Sequence, residues 1–327
     1  MSQRAIYDRR YAGTGYDQRS AVPVLTAERN VLRRAADRVL TWLPESEPIT
    51  LLDFACGTGR VTNEFAGTFH SHRGGLRLVA YDVSAVGLEK AAHSLIKDFG
   101  FDVAETLRFD HAAGSGYPAG SMRRISDGIT VEVLFVHGSE ADDAETAGKI
   151  LREANLGRAF AVTTSWYSGL AHIPTADRRG SFFTMLNDVT DPRGELLVAS
   201  SVSGDLVDLQ AEWEDRRRRG DIGGWPIEMQ GDVVYQTELM QENFCHVFGA
   251  DLAALLEANR EPSQSAWLEA VRMPDPEFSS EREERDNFRR VVAFNETVRH
   301  RSWRPEDYRE VHTAVAIRSG LPRTAHD

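Results

Sequence analysis

The stretch Leu51-Leu52-Asp53-Phe54-Ala55-Cys56-Gly57-Thr58-Gly59-Arg60 constrains the fold of this chain more than any other. It follows directly on Ile49 and Thr50, and the apolar run Ile49–Phe54 reads as a buried strand. Small residues then fall at 55, 57 and 59, and a helical pattern opens near Val61 and runs to Phe69. Gly57 and Gly59 lack a Cβ, so the backbone there can approach a ligand closely and adopt φ > 0. A bend at the carboxyl end of a first strand lies where open α/β sheets bind their ligands. The next apolar run, Leu76–Asp82, ends in a carboxylate, the usual place for an acid that accepts two ribose hydroxyls. Gly-x-Gly alone is also the tight strand-to-helix turn of many α/β proteins. The full strand–turn–helix setting and Asp82 favour a nucleotide site.

Strand and helix patterns continue to alternate. A helix spans about Ala85–Lys97, a third strand Ile129–Val136, a helix Ala144–Ala154 and a fourth strand Phe160–Ser165. A helix over Asp177–Val189 leads through the turn Asp191-Pro192-Arg193-Gly194 into a fifth strand, Glu195–Ser200. Such alternation implies a parallel sheet with helices on both faces. An arm rich in Tyr and Arg precedes it, followed by a helix over Val24–Leu43 that carries Val31, Leu32, Ala35, Ala36, Val39 and Leu40 on one face. Two inserts interrupt the pattern: a Gly-rich one near 105–128, and a polar, Trp-containing one from about 203 to 243. A helix over Asp251–Asn259, a strand near Trp267–Met273, a charged helix over Ser280–Val298 and a last strand, Val311–Arg318, complete the chain.

Charge narrows the partners. The formal net charge is −12, which argues against nucleic acid, because such binding draws on clustered Lys and Arg. The densest basic run, Arg216–Arg219, follows Glu212, Glu214 and Asp215 and reads as a solvated helix face. Two cysteines, Cys56 and Cys245, stand in neither a zinc nor a Cys-x-x-Cys spacing, so no metal site and no disulfide framework are expected. No run of about 18 apolar residues offers a membrane span. A cytoplasmic protein is the expectation, and the oligomeric state is not read.

The bend resembles motif I of the class I S-adenosylmethionine (SAM)-dependent methyltransferases, (D/E)-x-(G/A)-x-G-x-G, with Asp53, Ala55, Gly57 and Gly59 in its places. Asp82-Val83-Ser84, leading into Gly87-Leu88-Glu89, resembles the family's second motif. Dinucleotide-binding sheets carry G-x-G-x-x-G, and position 62 here is Thr. The resemblance extends over about residues 45–202. His137-Gly138-Ser139-Glu140-Ala141 is similar to the turn whose acid and next backbone N–H read adenine; Glu140-Ala141 fits best, with Asp142 or Ser139 as alternatives. Ser165 and Trp166 fall in the segment beside the methionine moiety, and Arg193–Val198 resembles the stretch before the family's fifth strand. The resemblance implies SAM as cofactor, held by Asp53, Ala55, Gly57, Gly59, Asp82, Val83, Glu140, Ala141, Ser165 and Trp166. Ala161 and the Trp166-Tyr167 pair depart from the family pattern.

The implied fold is α/β and Rossmann-like: a mostly parallel seven-stranded sheet with helices on both faces, an N-terminal helical arm and a lid insert after strand five. The segments expected are an arm and helix over 1–45, a SAM-binding core over 46–202, a lid over 203–250 and a C-terminal completion of the sheet over 251–327. The implied activity is methyl transfer to an O, N or C nucleophile of a small molecule, an in-line displacement in which the protein supplies position and electrostatics. His172 is the candidate base, or else a core-lining histidine. Tyr167 and Trp166 either face the sulfonium or pack the core. Tyr11 and Tyr16 of the arm, and Tyr235 and His246 of the second insert, are candidate substrate contacts. Attack at another SAM carbon, releasing 5′-methylthioadenosine, a macromolecular substrate, and SAM binding without turnover remain alternatives.

Overall fold

The structure, a computed structural model, describes residues 3–12, 24–68, 72–105, 107–109, 117–166, 169–202, 213–215, 218–219, 225, 227–229, 231–236, 242–274 and 280–323. It divides into two compact units: Met1–Val24, Ala35–Trp166 and Met185–Leu196 form the first, and Leu25–Arg34, Tyr167–Thr184 and Leu197–Asp327 the second. In chain order the elements begin with α1 (Gln3–Ala12), α2 (Thr26–Leu40), β1 (Ile49–Phe54), α3 (Arg60–Thr68), β2 (Leu76–Asp82) and α4 (Ala85–Phe99). Next come β3 (Asp102–Glu105), β4 (Tyr117–Ser126), β5 (Ile129–His137), α5 (Ala144–Ala154), β6 (Phe160–Ser165) and α6 (Ala176–Val189). The remainder are β7 (Thr190–Ser201), β8 (Asp232–Gln236), β9 (Glu242–His246), α7 (Ala250–Ala258), β10 (Ser265–Arg272), α8 (Glu281–Val298), α9 (Pro305–Arg309) and β11 (Thr313–Ser319).

The main sheet has nine strands in the order β10-β11-β7-β6-β1-β2-β5-β4-β3. This corrects the expected seven. In the first unit β1 pairs in parallel with β2 and β6, and β2 in parallel with β5. Numbered along the chain, the five expected strands lie 3-2-1-4-5, the doubly wound order, whose reversal point falls between β1 and β6. Every residue of β1 and of β6 is buried, as strands covered on both faces should be, and neither shows the polar alternation of a half-exposed strand.

Of the two additional strands, β4 comes from the Gly-rich insert and β3 lies just ahead of it. β4 folds back on β5 in an antiparallel hairpin, with Ser126 opposite Ile129. Its two-residue turn is Asp127-Gly128, both at positive φ (53° and 78°), the pair favoured in a type I′ turn. β3 then pairs with β4. β7 begins at Thr190, so the expected turn at 191–194 lies within its first residues.

In the second unit β10 and β11 pair antiparallel from Ser265 opposite Ser319 to Arg272 opposite Thr313. Helix α8 starts at the N-cap Ser280, whose hydroxyl accepts the Glu283 N–H. Its Asn295 both accepts the N–H and donates to the carbonyl of Ala270, tying the helix to β10. β8 and β9 form a separate antiparallel ribbon, with Asp232 opposite His246 and Tyr235 opposite Asn243. Half of the expected lid, including 203–212 and 237–241, lies outside the described residues. Among the described residues no helix is long and apolar enough to cross a membrane, and no group of His, Cys, Asp and Glu could hold a metal ion.

Candidate functional site

The bend after β1 is built from alternate left-handed residues. Ala55, Gly57 and Gly59 have φ of 58°, 54° and 81°. The Cys56 N–H donates to the Tyr81 carbonyl at 3.0 Å, which fastens the bend to β2, and the Gly59 N–H donates to the Cys56 carbonyl. A Cβ on Gly57 would lie 2.8 Å from the Tyr11 hydroxyl, and one on Gly59 would lie 2.5 Å from the Ala91 Cβ. Gly57 therefore admits α1 to the bend, and Gly59 lets α3 and α4 pack closely. Gly87, which the sequence reading left without a role, is the partner of that approach: a Cβ there would meet the Gly57 carbonyl at 2.8 Å.

Asp82 ends β2 and is 7% exposed. One carboxylate oxygen accepts the Gly57 N–H and the other the Ser84 N–H, both at 2.7 Å. Burial pushes its carboxyl up to about 6; the Ser84 and Gly57 N–H groups oppose the rise, and the nearby Asp8 carboxylate adds to it. Ser84 is the N-cap of α4, with a hydroxyl that accepts the Gly87 N–H and donates to Asp8 at 2.6 Å.

Asp53 lies deeper, at 1% exposure. Thr62 Oγ1 donates to it at 2.7 Å, and Thr164 Oγ1 stands 3.2 Å from its other oxygen. Burial pushes this carboxyl to about 6 as well, against the two threonines. Thr62 occupies the position where a dinucleotide motif has its third glycine, and here its side chain orients an acid instead. The sequence assigns no role to Thr62, Thr164, Ser84 or Asp8, although the Asp-x-Ser preceding α4 carries an N-cap signal.

The loop after β5 closes on itself. The Ser139 N–H donates to Asp142 at 3.0 Å, and the Ala141 N–H donates to Ser139 Oγ at 3.2 Å. Ser139 and Asp142 are thus engaged within the loop, while Glu140 is half-buried and Ala141 exposed. His137 Nε2 lies 3.1 Å from the Val83 carbonyl, and the Gly138 N–H donates to the Asp82 carbonyl, so the ends of β2 and β5 are held together. At the end of β6, paired with Phe54 in register, Ser165 is fully buried. Its hydroxyl finds no hydrogen-bond partner among the described residues. Trp166 is also buried, and so is Tyr11 of α1, which lies against the bend. Structure thereby gathers Asp53, Ala55, Gly57, Gly59, Asp82, Val83, Ser165 and Tyr11 within the first unit. Tyr16 and Tyr167 lie outside the described residues.

The second unit holds the other candidates. His172 ends a 3-10 turn, Leu170–His172, and its Nδ1 lies 2.7 Å from the Phe244 carbonyl. A carbonyl only accepts, so Nδ1 carries the proton and the lone pair of the neutral ring is on Nε2. Tyr235 accepts a hydrogen bond from Asn243 Nδ2 across the ribbon. His246 was expected as a candidate substrate contact and lies inside the ribbon. It is fully buried, with Nδ1 at 2.7 Å from Asp232 and Nε2 at 2.6 Å from Asp251. Both nitrogens being spent on carboxylates, none faces a ligand. Arg179 completes the cluster at 3.1 Å from Asp232. Burial works to lower the His246 pKa, but the bonds to Asp232 and Asp251 outweigh it and raise it above the ordinary imidazole value; both carboxyls lie below their ordinary range.

No family model matches the chain, and no curated protein matches it. Solved structures are similar at low identity. The DhpI–SAH complex is 16% identical, covering 98% of this chain and 96% of that one at a TM-score of 0.43. An S-adenosylmethionine-dependent methyltransferase from Clostridium acetobutylicum is 10% identical over 96% of each chain, at 0.46. The plantazolicin methyltransferase BamL, in complex with a triazolic analogue and SAH, is 10% identical over 96% of this chain and 89% of its own, at 0.44. On their own, the strand order and the bend after β1 give this chain a Rossmann-like, doubly wound α/β fold.

Proposed function

We propose that the chain binds SAM at the bend after β1 and transfers its methyl group to a small molecule. The observation that carries this reading is Asp82: a buried carboxylate at the end of β2, beside the reversal point, with one backbone N–H on each oxygen. A carboxylate has about four lone-pair sites, so two bonds leave room for two ribose hydroxyls. The charge inventory supports a cationic ligand. Neither Asp53 nor Asp82 has an ion-pair partner among the described residues, and burial works against the charge of both. A sulfonium with an ammonium group suits such a crevice; a pyrophosphate does not. The Ser165 hydroxyl, which has no hydrogen-bond partner among the described residues, adds a polar group beside it.

Bound SAM would supply an electrophilic methyl group. The chain's part is to fix the donor: Gly57 and Gly59 shape the bend, Asp82 binds, Thr62 and Thr164 hold Asp53, and the buried Trp166 excludes water. The net charge of −12 speaks for a small molecule over an RNA. The test is incubation with SAM alone and then with a metabolite mixture, with mass analysis of the nucleoside product. S-adenosylhomocysteine (SAH) is the expected product; 5′-methylthioadenosine would move the reaction to another SAM carbon, and no consumption would leave a binder.

A further inference from the structure

The last residue of β9 joins four elements of the second unit. His246 Nδ1 stands 2.7 Å from Asp232 at the start of β8, and Nε2 stands 2.6 Å from Asp251 in the first turn of α7. Asp232 also receives Arg179 of α6 at 3.1 Å. The connection from β9 into α7 is short. Its Phe248 N–H donates to the Ser201 carbonyl, and its Gly249 N–H donates to Asp251 Oδ1 at 2.7 Å. Gly249 is the N-cap and has no side chain to offer, so the Asp251 carboxylate ties the start of α7 to β9. The helix beyond that turn lies against β10 and β11, with Leu252 and Leu256 buried.

An ionised carboxylate only accepts, so both ring nitrogens must carry a proton for both bonds to exist. Imidazolium and guanidinium then balance the two carboxylates. Removal of one proton leaves a lone pair facing a carboxylate, and one of the two bonds must open. The surroundings decide which. The Asp232 side chain is wholly buried and keeps Arg179 and the Glu228 and Met229 N–H groups. The Asp251 side chain is 30% exposed and keeps the Gly249 N–H, so water can replace the ring. The remaining proton stays on Nδ1, and Asp251 lets go.

We propose that the second proton of His246 is a latch: it holds the first turn of α7 to the β8–β9 ribbon, and its loss on alkalinisation releases residues 249–251 while the ribbon stays paired. Every member lies in the second unit, so the latch is independent of the SAM reading. Among the described residues, the charged groups facing the ring are Asp232 from β8, Asp251 from α7 and Arg179 from α6. Around them stand Glu228, which accepts the Ala176 N–H, Tyr308 of α9 and Cys245 of β9. Burial lowers the pKa of the ring and the two carboxylate bonds raise it by more, so release falls above the ordinary value of about 6.5.

The experiment follows amide hydrogen exchange of the full chain by mass spectrometry from pH 6 to 9. Rates are divided by those of an unstructured peptide to remove base catalysis, and an NMR titration of histidine-labelled protein runs beside it. In the wild type, opening of 249–251 should rise about tenfold for each pH unit between the ring's pKa with the turn released and with the turn held, then level off. The β8 and β9 amides should change by a smaller factor. An asparagine can accept from Nε2–H or turn its NH₂ to a bare Nε2. Asp251→Asn should therefore bring the pH dependence under about twofold and move the His246 titration to lower pH. Protection of 249–251 that stays constant while His246 titrates would overturn the proposal, and so would an imidazole that keeps one protonation state across the range. Equal loss at the β8 and β9 amides would make the proton a support of the whole ribbon and would overturn it too, as would a wild-type pH dependence kept in Asp251→Asn. Should that variant not fold, the wild-type profile decides alone.

Discussion

Asp232→Asn should destabilise the β8–β9 ribbon by about 3–5 kcal/mol. Asp232 is 3% exposed, and one oxygen meets His246 Nδ1 at 2.7 Å and Arg179 at 3.1 Å. The other accepts the Glu228 and Met229 N–H groups, each at 2.9 Å. An asparagine carbonyl can serve only one of these sides. Kept on the Glu228–Met229 side, its NH₂ faces the imidazolium and the guanidinium, donor against donor, and Arg179, itself 2% exposed, loses its carboxylate. Breaking one partner out of a buried pair costs that much because a charge stays behind uncompensated. Asp232→Asn with Arg179→Met removes both charges and should recover at least about 1.5 kcal/mol of the loss. Hydrogen exchange of the β8 and β9 amides, read by mass spectrometry at pH 7, isolates this ribbon where a global melt would average over both units. The sign with pH follows from the directions. The raised His246 contributes stability below about pH 6.5 that is lost as pH rises through its folded value; the lowered Asp232 and Asp251 contribute above about pH 4 and lose it on acidification. A loss below about 1 kcal/mol in the single variant, or none recovered in the double, would refute the reasoning.

Further outcomes are expected from the first unit. Gly59→Ala puts a Cβ 2.5 Å from the Ala91 Cβ at a φ of 81°, and should cost about 2–4 kcal/mol in urea denaturation, with Ala91→Gly relieving part of it. Asp53 and Asp82 have folded values near 6 against 3.8, so the unliganded protein should lose stability as pH rises from about 4 through 6. Each two-unit rise amounts to on the order of 3 kcal/mol, and Asp53→Asn should flatten that fall in thermal melts across the range. Thr62→Val keeps the shape but removes a hydroxyl that donates to Asp53; it should cost about 1.5–3 kcal/mol by denaturant titration.

The centre of the fold was legible because β1, β2, β5 and β6 are buried and write themselves as apolar runs, and because Asp82 ends its strand. β4 was not. Arg123 and Arg124 put a charge on each of its faces, and the register shifts between Pro118 and Gly120, so no clean alternation survives. Asp127-Gly128 was the available signal, a hairpin turn that hydrophobic pattern alone passes over. The polar site divides the same way. Acids at strand ends are visible in sequence, whereas the residues that hold them, Thr62, Thr164 and Ser84, look like ordinary helix or strand positions. The surroundings of His246 are not legible in the same way, because polarity in a linear sequence does not distinguish a residue facing solvent from one buried among Asp232, Asp251 and Arg179. Only the register of the ribbon brings those charges together.

Calorimetric titration of SAM into the folded wild type and Asp82→Ala tests the central claim most directly. The account predicts saturable uptake by the wild type, and a weakening of roughly 2–4 kcal/mol in the variant from lost charge-assisted hydrogen bonds. Equal affinity in both proteins would contradict the assignment of Asp82, and no uptake by the wild type would contradict the cofactor itself.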